Sequence, residues 1–509
     1  MFDLSVPILS TFIVYLIGMI AIGAWLYRRS NSLSDYALGG RSLGPTTAAL
    51  SAQASDMSGW LLMGLPGAVY ASGIGNIWMA GGLALGSYLN WLIVAGRLRT
   101  FTQRLGDSVS LSAYFEARFQ DRTSLLRLIS AAVILVFFTV YVASGLVAGG
   151  KLFNSIFGVD AKTAIAVSVV VIVVYTFLGG FLAVSITDAV QGILMFFALL
   201  LVPLLVVWQT GGFGEVFSEL QLLNPDILNA RRSIEIVDGS WLTSGTTLGA
   251  IGIVSLAAWG FGYFGQPHIL ARFMGIKSAA HVPAARRIGT TWIVVTLAAA
   301  VFIGLVGILY FDQPLEDPEM VFVALTTDLF PPIIAGIILS AVLAAIMSTA
   351  DSQLLVSSTT VTEDFYRRYF RRDASDSELL WVGRFSVVGV ALVAYLLTLT
   401  NNDSVLGIVS YAWAGFGAAF GPVIVASLYW KRMTWVGALA GMVLGAATVI
   451  TWEQLGAMET PPNAIFADLY SIIPGLVAAV LGIAIGSLFG AKPEVDLTPY
   501  DPKAEEAAA

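Results

Sequence analysis

One carboxylate, Asp56, stands inside the apolar run Pro45–Tyr70, PTTAALSAQASDMSGWLLMGLPGAVY, with no Lys or Arg near it. A charged residue at the centre of a membrane helix costs about 2.5–3.5 kcal/mol on insertion scales, so its default reading is functional. A cation would offset that charge. The neighbours Ser55, Ser58 and Gly59 are residue types at which a helix opens, because Ser and Asp compete for backbone hydrogen bonds and Gly loses the most entropy in a helix. A broken helix at mid-membrane with a carboxylate in the break is a usual place for a transported ion.

A second polar cluster lies in Leu339–Phe365, LSAVLAAIMSTADSQLLVSSTTVTEDF. Ala345, Ser348 and Thr349 stand at i, i+3 and i+4 and share one helix face. Two hydroxyls with a carbonyl freed by nearby distortion form an all-oxygen shell, the kind that hard cations prefer. Sodium suits it better than a divalent ion, since no carboxylate cage is present. The competing reading is that Ser and Thr bond back to the i−4 carbonyl. Across from them, Ala54 and Met57 are three apart, so carbonyls exposed at the first break face the same cluster. Asp56 is roughly 200° from Ala54 around a regular helix and is expected to organise the site or meet the ion transiently.

Aromatic and small residues beside the breaks offer a ligand pocket: Ser58, Gly59 and Trp60, then Tyr141 with Ser144, then Trp259 and Tyr263. Trp259 and Tyr263, at i and i+4, are expected on one face. Trp and Tyr pack apolar rings while keeping a polar handle, which suits a small ligand with a hydrophobic ring and a charged end. Taken singly, each is more simply a core or lipid-facing ring. Asp188 is expected as an N-terminal cap opening the sixth span. Asp351 stays open between a gating group, a second cation or proton group, and a carboxylate facing a water cavity.

The elements that must position these residues are membrane helices. Hydrophobic residues make up 57% of 509 positions and charged residues 12%, and mean hydropathy is +0.83; a soluble domain carries about 25% charged residues. With no cysteine, disulfides and thiolate metal sites are excluded, and the two histidines, His268 and His281, fall in one expected loop. The net charge of −7 gives no hint of nucleic-acid binding. At about 20 apolar residues per crossing, the sequence predicts thirteen helices: 7–27, 45–71, 75–96, 126–153, 162–181, 188–209, 243–266, 288–311, 331–358, 379–400, 404–430, 434–453 and 464–490. The first reads as a retained helix rather than a signal peptide, since its leader has no basic residue. An outside N-terminus puts 22 of the 26 basic residues, Arg28, Arg29 and Lys503 among them, on the cytoplasmic side and only Lys151, Lys162, Arg231 and Arg232 outside. The second and seventh spans each open a block of five, run in opposite directions and are interrupted. That pattern points to an inverted repeat and alternating access.

At these residues the chain resembles the sodium/solute symporter family. The carrying segments are DYALGGRSLGP (Asp35–Pro45), ALSAQASDMSGWLLMGLPGAVY (Ala49–Tyr70), GYFGQPHILARFM (Gly262–Met274), ILSAVLAAIMST (Ile338–Thr349) and VSYAWAGFGAAFGP (Val409–Pro422). The resemblance implies an all-α polytopic membrane protein of 13 transmembrane helices, with a leucine-transporter-like five-plus-five inverted-repeat core in helices 2–11. It implies a sodium ion at Ala54, Met57, Ala345, Ser348 and Thr349, with Asp56 and Arg41 serving sodium coupling. It implies L-proline as substrate, contacted by Ser58, Gly59, Trp60, Tyr141, Trp259 and Tyr263; a role for Asp351 does not carry over. The expected division is 1–43 for the first helix and cytoplasmic loop, 44–210 for the first repeat and 211–242 for an extracellular loop. Then come 243–430 for the second repeat, 431–490 for helices 12 and 13, and 491–509 as a disordered cytoplasmic tail. The expected protein is no enzyme but a sodium-coupled importer of the cytoplasmic membrane, N-terminus out and C-terminus in, acting as a monomer with sodium, L-proline and the bilayer as partners and no nucleic acid. The alternatives are another small solute, protons replacing sodium, or a transporter-like sensor, for which the 19 residues from Ala491 supply no signalling domain.

Overall fold

A computed structural model describes residues 2–27, 32–399, 404–458 and 460–498. Arg28, Arg29, Lys503 and the tail beyond 498, used above for topology, lie outside the described residues. The chain is a bundle of helices, as its composition requires: in hydrocarbon, backbone polar groups must pair within their own segment. Among the described residues, nine helices are long and apolar enough to cross a bilayer, Leu125–Phe157 and Phe181–Thr210 among them. Four shorter apolar helices, Trp60–Ser72, Ala161–Phe177, Ala250–Gly265 and Ile472–Gly486, fall at the second, fifth, seventh and thirteenth expected spans.

Three boundaries differ from the sequence reading. The sixth helix begins at Phe181 and not at residue 188, because Gly179 and Gly180 are the residues that break the chain while FLAVSIT continues as helix. Asp188 is therefore no cap; it lies two turns inside. The seventh span begins at Ala250, since Ser240–Thr247 is a β-strand paired antiparallel with Arg232–Val237. Its turn is Asp238–Gly239, both at positive φ (49° and 72°), the backbone that a two-residue hairpin needs. Trp241 pins this hairpin to the bundle, its Nε1 donating to Tyr70 O at 2.9 Å. His268 lies not in a loop but in the helix Pro267–Gly275, whose first residue is a proline with φ preset for that place.

The tail expected to be disordered from 491 is seated through Thr498. Gln120 Nε2 donates to Glu494 O at 3.4 Å, Leu497 is buried, and Arg104 Nη1 donates to Thr498 O at 3.2 Å.

Pro332–Thr359 is the central helix. It packs on Phe2–Tyr27, Leu125–Phe157 and Phe181–Thr210, and every residue from Ile338 to Leu355 is buried. A helix enclosed by others is free to be apolar on all sides. The helix then passes into a π-helical stretch, Thr360–Phe370. The two interrupted elements lie against it in opposite directions. Leu43, just before Pro45–Asp56, bridges Ile276, just after Pro267–Gly275. At the far end, Tyr70 meets the hairpin that precedes Ala250–Ala257. Close approach here depends on glycine: a Cβ on Gly86 would stand 2.1 Å from Gly260 O.

Candidate functional site

The second span breaks where its polar residues cluster. Pro45–Asp56 is α-helical, Met57 leaves the helix (φ −83°, ψ 77°), and Trp60–Gly64 resumes as a π-helical turn leading into Leu65–Ser72. At the break Ser58 N–H donates to Asp56 O at 3.0 Å instead of continuing the α-helical ladder to Ala54 O. An unpaired buried carbonyl is costly. Ser348 Oγ fills that gap, donating to Ala54 O at 2.8 Å and lying 3.3 Å from Ala345 O. Beside it, Thr349 Oγ1 is buried with no partner among the described residues. Ala54, Met57, Ala345, Ser348 and Thr349 are all buried. The ninth span, expected to be distorted near Ser348, is instead continuous α-helix to Thr359. Only the Ala54 side of this oxygen cluster is opened by a break.

The structure turns Asp56 the other way, toward the second interrupted element. Its Oδ2 accepts a hydrogen bond from Tyr263 OH, while its Oδ1 has no partner among the described residues. The seventh span holds Tyr263 in Ala258–Gly265, a 3₁₀ segment between Ala250–Ala257 and the Gln266 bend. The expectation that Trp259 and Tyr263 share a face fails for that reason. At three residues per turn, i and i+4 diverge by about 120°. Trp259 stacks on Tyr470 (centroids 5.3 Å apart), whereas Tyr263 stands edge-on to Trp413 at 5.1 Å. Trp413 Nε1 in turn donates to Trp259 O at 2.7 Å.

Ser58 and Trp60 remain beside the first break: Trp60 N–H reaches Ser58 Oγ at 3.4 Å and its indole donates to Asp56 O at 3.2 Å. Gly59 is required by space, since a Cβ there would lie 2.7 Å from Ala148 Cβ. Tyr141 is buried, with its hydroxyl unpartnered among the described residues, and stands edge-on to His268 at 6.2 Å. Arg41 is elsewhere, in the Gly39–Arg41 turn at positive φ. It hydrogen-bonds Thr102 Oγ1 (3.2 Å), Met274 O (2.8 Å) and Ser108 O (3.0 Å) and pairs with Asp107 (2.9 Å). Burial draws its guanidinium pKa below the usual range, and Asp107 opposes that shift.

Sequence reasoning missed a second polar knot one turn from the oxygen cluster. Arg272 Nη2 pairs with Asp188 Oδ2 at 2.9 Å, both side chains fully buried. Ser51 Oγ donates to the same oxygen at 2.7 Å, Arg272 Nε donates to Ser51 Oγ at 3.0 Å, and Arg272 also bonds Ser352 Oγ. Asp351 joins through Ser352, 3.3 Å away. It is fully buried, which disfavours the water-cavity reading. A lone arginine inside HILARFM was the signal available. At the other end, Lys151 pairs with Asp317 and Glu319 (both 2.6 Å), and Glu319 accepts Val405 N and Leu406 N at the start of Val405–Tyr429.

Comparison places this geometry among known proteins. The chain superposes on a solved Na⁺-coupled sialic acid symporter in a substrate-bound outward-open state, with a TM-score of 0.78 at 19% identity, covering 97% of this chain and 100% of that one. It also matches MhsT in complex with L-phenylalanine, with a TM-score of 0.52 at 15% identity, covering 87% and 98%. The fold is therefore the leucine-transporter-like one, with its paired five-helix repeats. In sequence it is 51% identical over 483 residues to the high-affinity proline transporter PutP of Bacillus subtilis, covering 94% of this chain and 98% of the relative. It is 51% identical over 497 residues to the sodium/proline symporter of Escherichia coli, covering 96% and 94%. The family model described as the sodium:solute symporter family matches residues 36–445, and the chain belongs to that family.

Proposed function

We propose that the chain imports L-proline together with Na⁺ across the cytoplasmic membrane by alternating access. It is a transporter and not an enzyme, and the two relatives named above carry proline in their names. The observation that carries the reading is the hydrogen bond from Ser348 Oγ to Ala54 O. It brings a carbonyl released by a helix break against the Ala345–Ser348–Thr349 face. In the loaded state the proposed ligands are the carbonyl oxygens of Ala54, Met57 and Ala345 with Ser348 Oγ and Thr349 Oγ1. The Ser348 hydrogen then rotates away, so that both oxygens of the present bond turn to the ion. Five neutral oxygens suit a monovalent hard cation.

Sodium held there ties Pro45–Asp56 to Pro332–Thr359. That fixes the residues just past the break: Ser58, Gly59 and Trp60, proposed to line the proline site with Tyr141, Trp259 and Tyr263. Asp56 links this half to the other through Tyr263, so ion and substrate stabilise each other reciprocally. Arg41 acts on coupling at a distance, joining the start of the second span to the end of the seventh. With a zwitterionic substrate, one cycle moves one net charge inward, worth about 2.3 kcal/mol per 100 mV.

The orientation proposed is N-terminus outside and C-terminus inside, with thirteen crossings, repeats at 44–210 and 243–430, and function as a monomer. Sodium-dependent uptake of labelled proline into proteoliposomes tests the whole. Uptake that rises with an inward sodium gradient and is competed by unlabelled proline supports it. Uptake indifferent to proline as competitor points to another small solute, and uptake driven by a pH gradient without sodium points to protons.

A further inference from the structure

We infer that the groove between Phe181–Thr210 and Val282–Tyr310 is a specific site for one anionic phospholipid, its phosphate on Arg287. The groove is open along one side, offers about 450 Å³ and is lined by Leu50, Ile193, Phe197, Ile288 and Trp292, with Arg287 as the one cation of its lining. Arg287 is exposed and makes no hydrogen bond or ion pair with any described residue. Apolar walls with a single unanswered guanidinium match an acyl chain ending in an anion. Arginine is the residue suited to phosphate, which it grips through two parallel donors.

Depth agrees with that assignment. Arg287 stands five residues into its helix, about 7.5 Å from the start, whereas Ile193 is twelve residues into its own, about 18 Å along. Both helices begin on the face that the proposed orientation makes cytoplasmic, where anionic lipids give the leaflet its negative potential. Ile193 (48% exposed) and Phe197 (56% exposed) present apolar side chains along the groove. A chain lying on them leaves the headgroup at Arg287.

The groove also backs onto the ion cluster. A Cβ on Gly192 would stand 3.3 Å from Ala54 Cβ and 3.6 Å from Leu50 O, and Trp292 Nε1 donates to Gly192 O at 3.0 Å. Leu50 is one turn before Ala54 on the interrupted helix. An occupied groove therefore braces the outer side of the segment that supplies Ala54 O.

Native mass spectrometry of the full chain in detergent, titrated with phosphatidylglycerol or with phosphatidylcholine of the same chains, tests this without reference to substrate or orientation. The wild type is expected to retain one phosphatidylglycerol at least tenfold more tightly than phosphatidylcholine. Arg287→Gln should erase that preference, and Ile193→Trp, filling the groove from the lipid side, should remove the bound lipid altogether. Inorganic phosphate should fail to compete, since the chain carries part of the affinity. Equal retention by Arg287→Gln, undiminished retention by Ile193→Trp, or displacement by inorganic phosphate overturns the inference. Phe197→Ala, which shortens the groove without crowding it, should weaken retention in the same direction and serves if Ile193→Trp does not fold.

Discussion

Ser348 and Ala54, 294 positions apart, are joined by a 2.8 Å hydrogen bond from a hydroxyl to a carbonyl that its own helix has released. Both residues are buried, and Ala54 O lacks the α-helical donor that Ser58 N–H would otherwise supply, while Ser348 Oγ has Ala345 O as its other neighbour at 3.3 Å. Replacing Ser348 and Thr349 together by Ala removes two of the five proposed sodium ligands. Apparent sodium affinity should fall by about a hundredfold, counting ~1.4 kcal/mol per tenfold and one such step per ligand. Uptake measured against sodium concentration checks it. Near-normal sodium dependence would take the central helix out of the ion site.

Asp56 and Tyr263 couple the two interrupted elements, and their variants should separate charge from hydrogen bonding. Asp56→Asn keeps the shape and discards the charge, so apparent sodium affinity should drop about tenfold or more, ~1.4 kcal/mol, while membrane insertion is unaffected. Tyr263→Phe leaves the carboxylate but strips the one side-chain donor it has among the described residues, at a cost of about 1–3 kcal/mol for an unsatisfied buried group. Its proline KM should rise with the sodium dependence less disturbed. The same loss of sodium affinity in both variants would contradict this division.

At Gly86 the prediction concerns assembly. A Cβ there would meet Gly260 O at 2.1 Å, backbone that cannot step aside, whereas a Cβ on Gly81 finds nothing within 4 Å. Gly86→Ala should therefore reduce the yield of monodisperse protein severely and Gly81→Ala should not. Size-exclusion profiles of the two variants decide it. Equal profiles would mean that the crossing of the third and seventh spans is looser than described.

Local chemistry made some of this readable and tertiary packing hid the rest. Ser55, Asp56, Ser58 and Gly59 disfavour a helix on their own account, so the first break could be read from residue types alone. Ala345 stands on one face with Ser348 and Thr349 by helical periodicity, at i, i+3 and i+4, whatever surrounds them. The 3₁₀ geometry around Trp259 could not be read that way, because the same residues fit an α-helix and only packing against Trp413 and Tyr470 distinguishes the two. The Asp238–Gly239 hairpin was signalled by its turn dipeptide but masked by the apolar run that follows. Asp188 was misread because its meaning depends on Arg272, 84 positions away.

That pair yields the sharpest test of the architecture. Asp188 and Arg272 are fully buried at 2.9 Å, with Ser51 and Ser352 satisfying further donors and acceptors. Removing one partner of such a pair leaves an uncompensated buried charge and costs about 3–5 kcal/mol, whereas removing both charges can be close to neutral. Asp188→Asn and Arg272→Gln should each lower the thermal midpoint in detergent, and the double variant should recover part of that loss. The knot bridges the second, sixth, seventh and ninth spans one turn from the oxygen cluster. The double variant should therefore regain stability without regaining the wild-type sodium dependence of uptake. Strictly additive losses in the midpoint would mean that the two side chains do not act as a pair in the folded protein, and a full return of transport would mean that the knot serves packing alone.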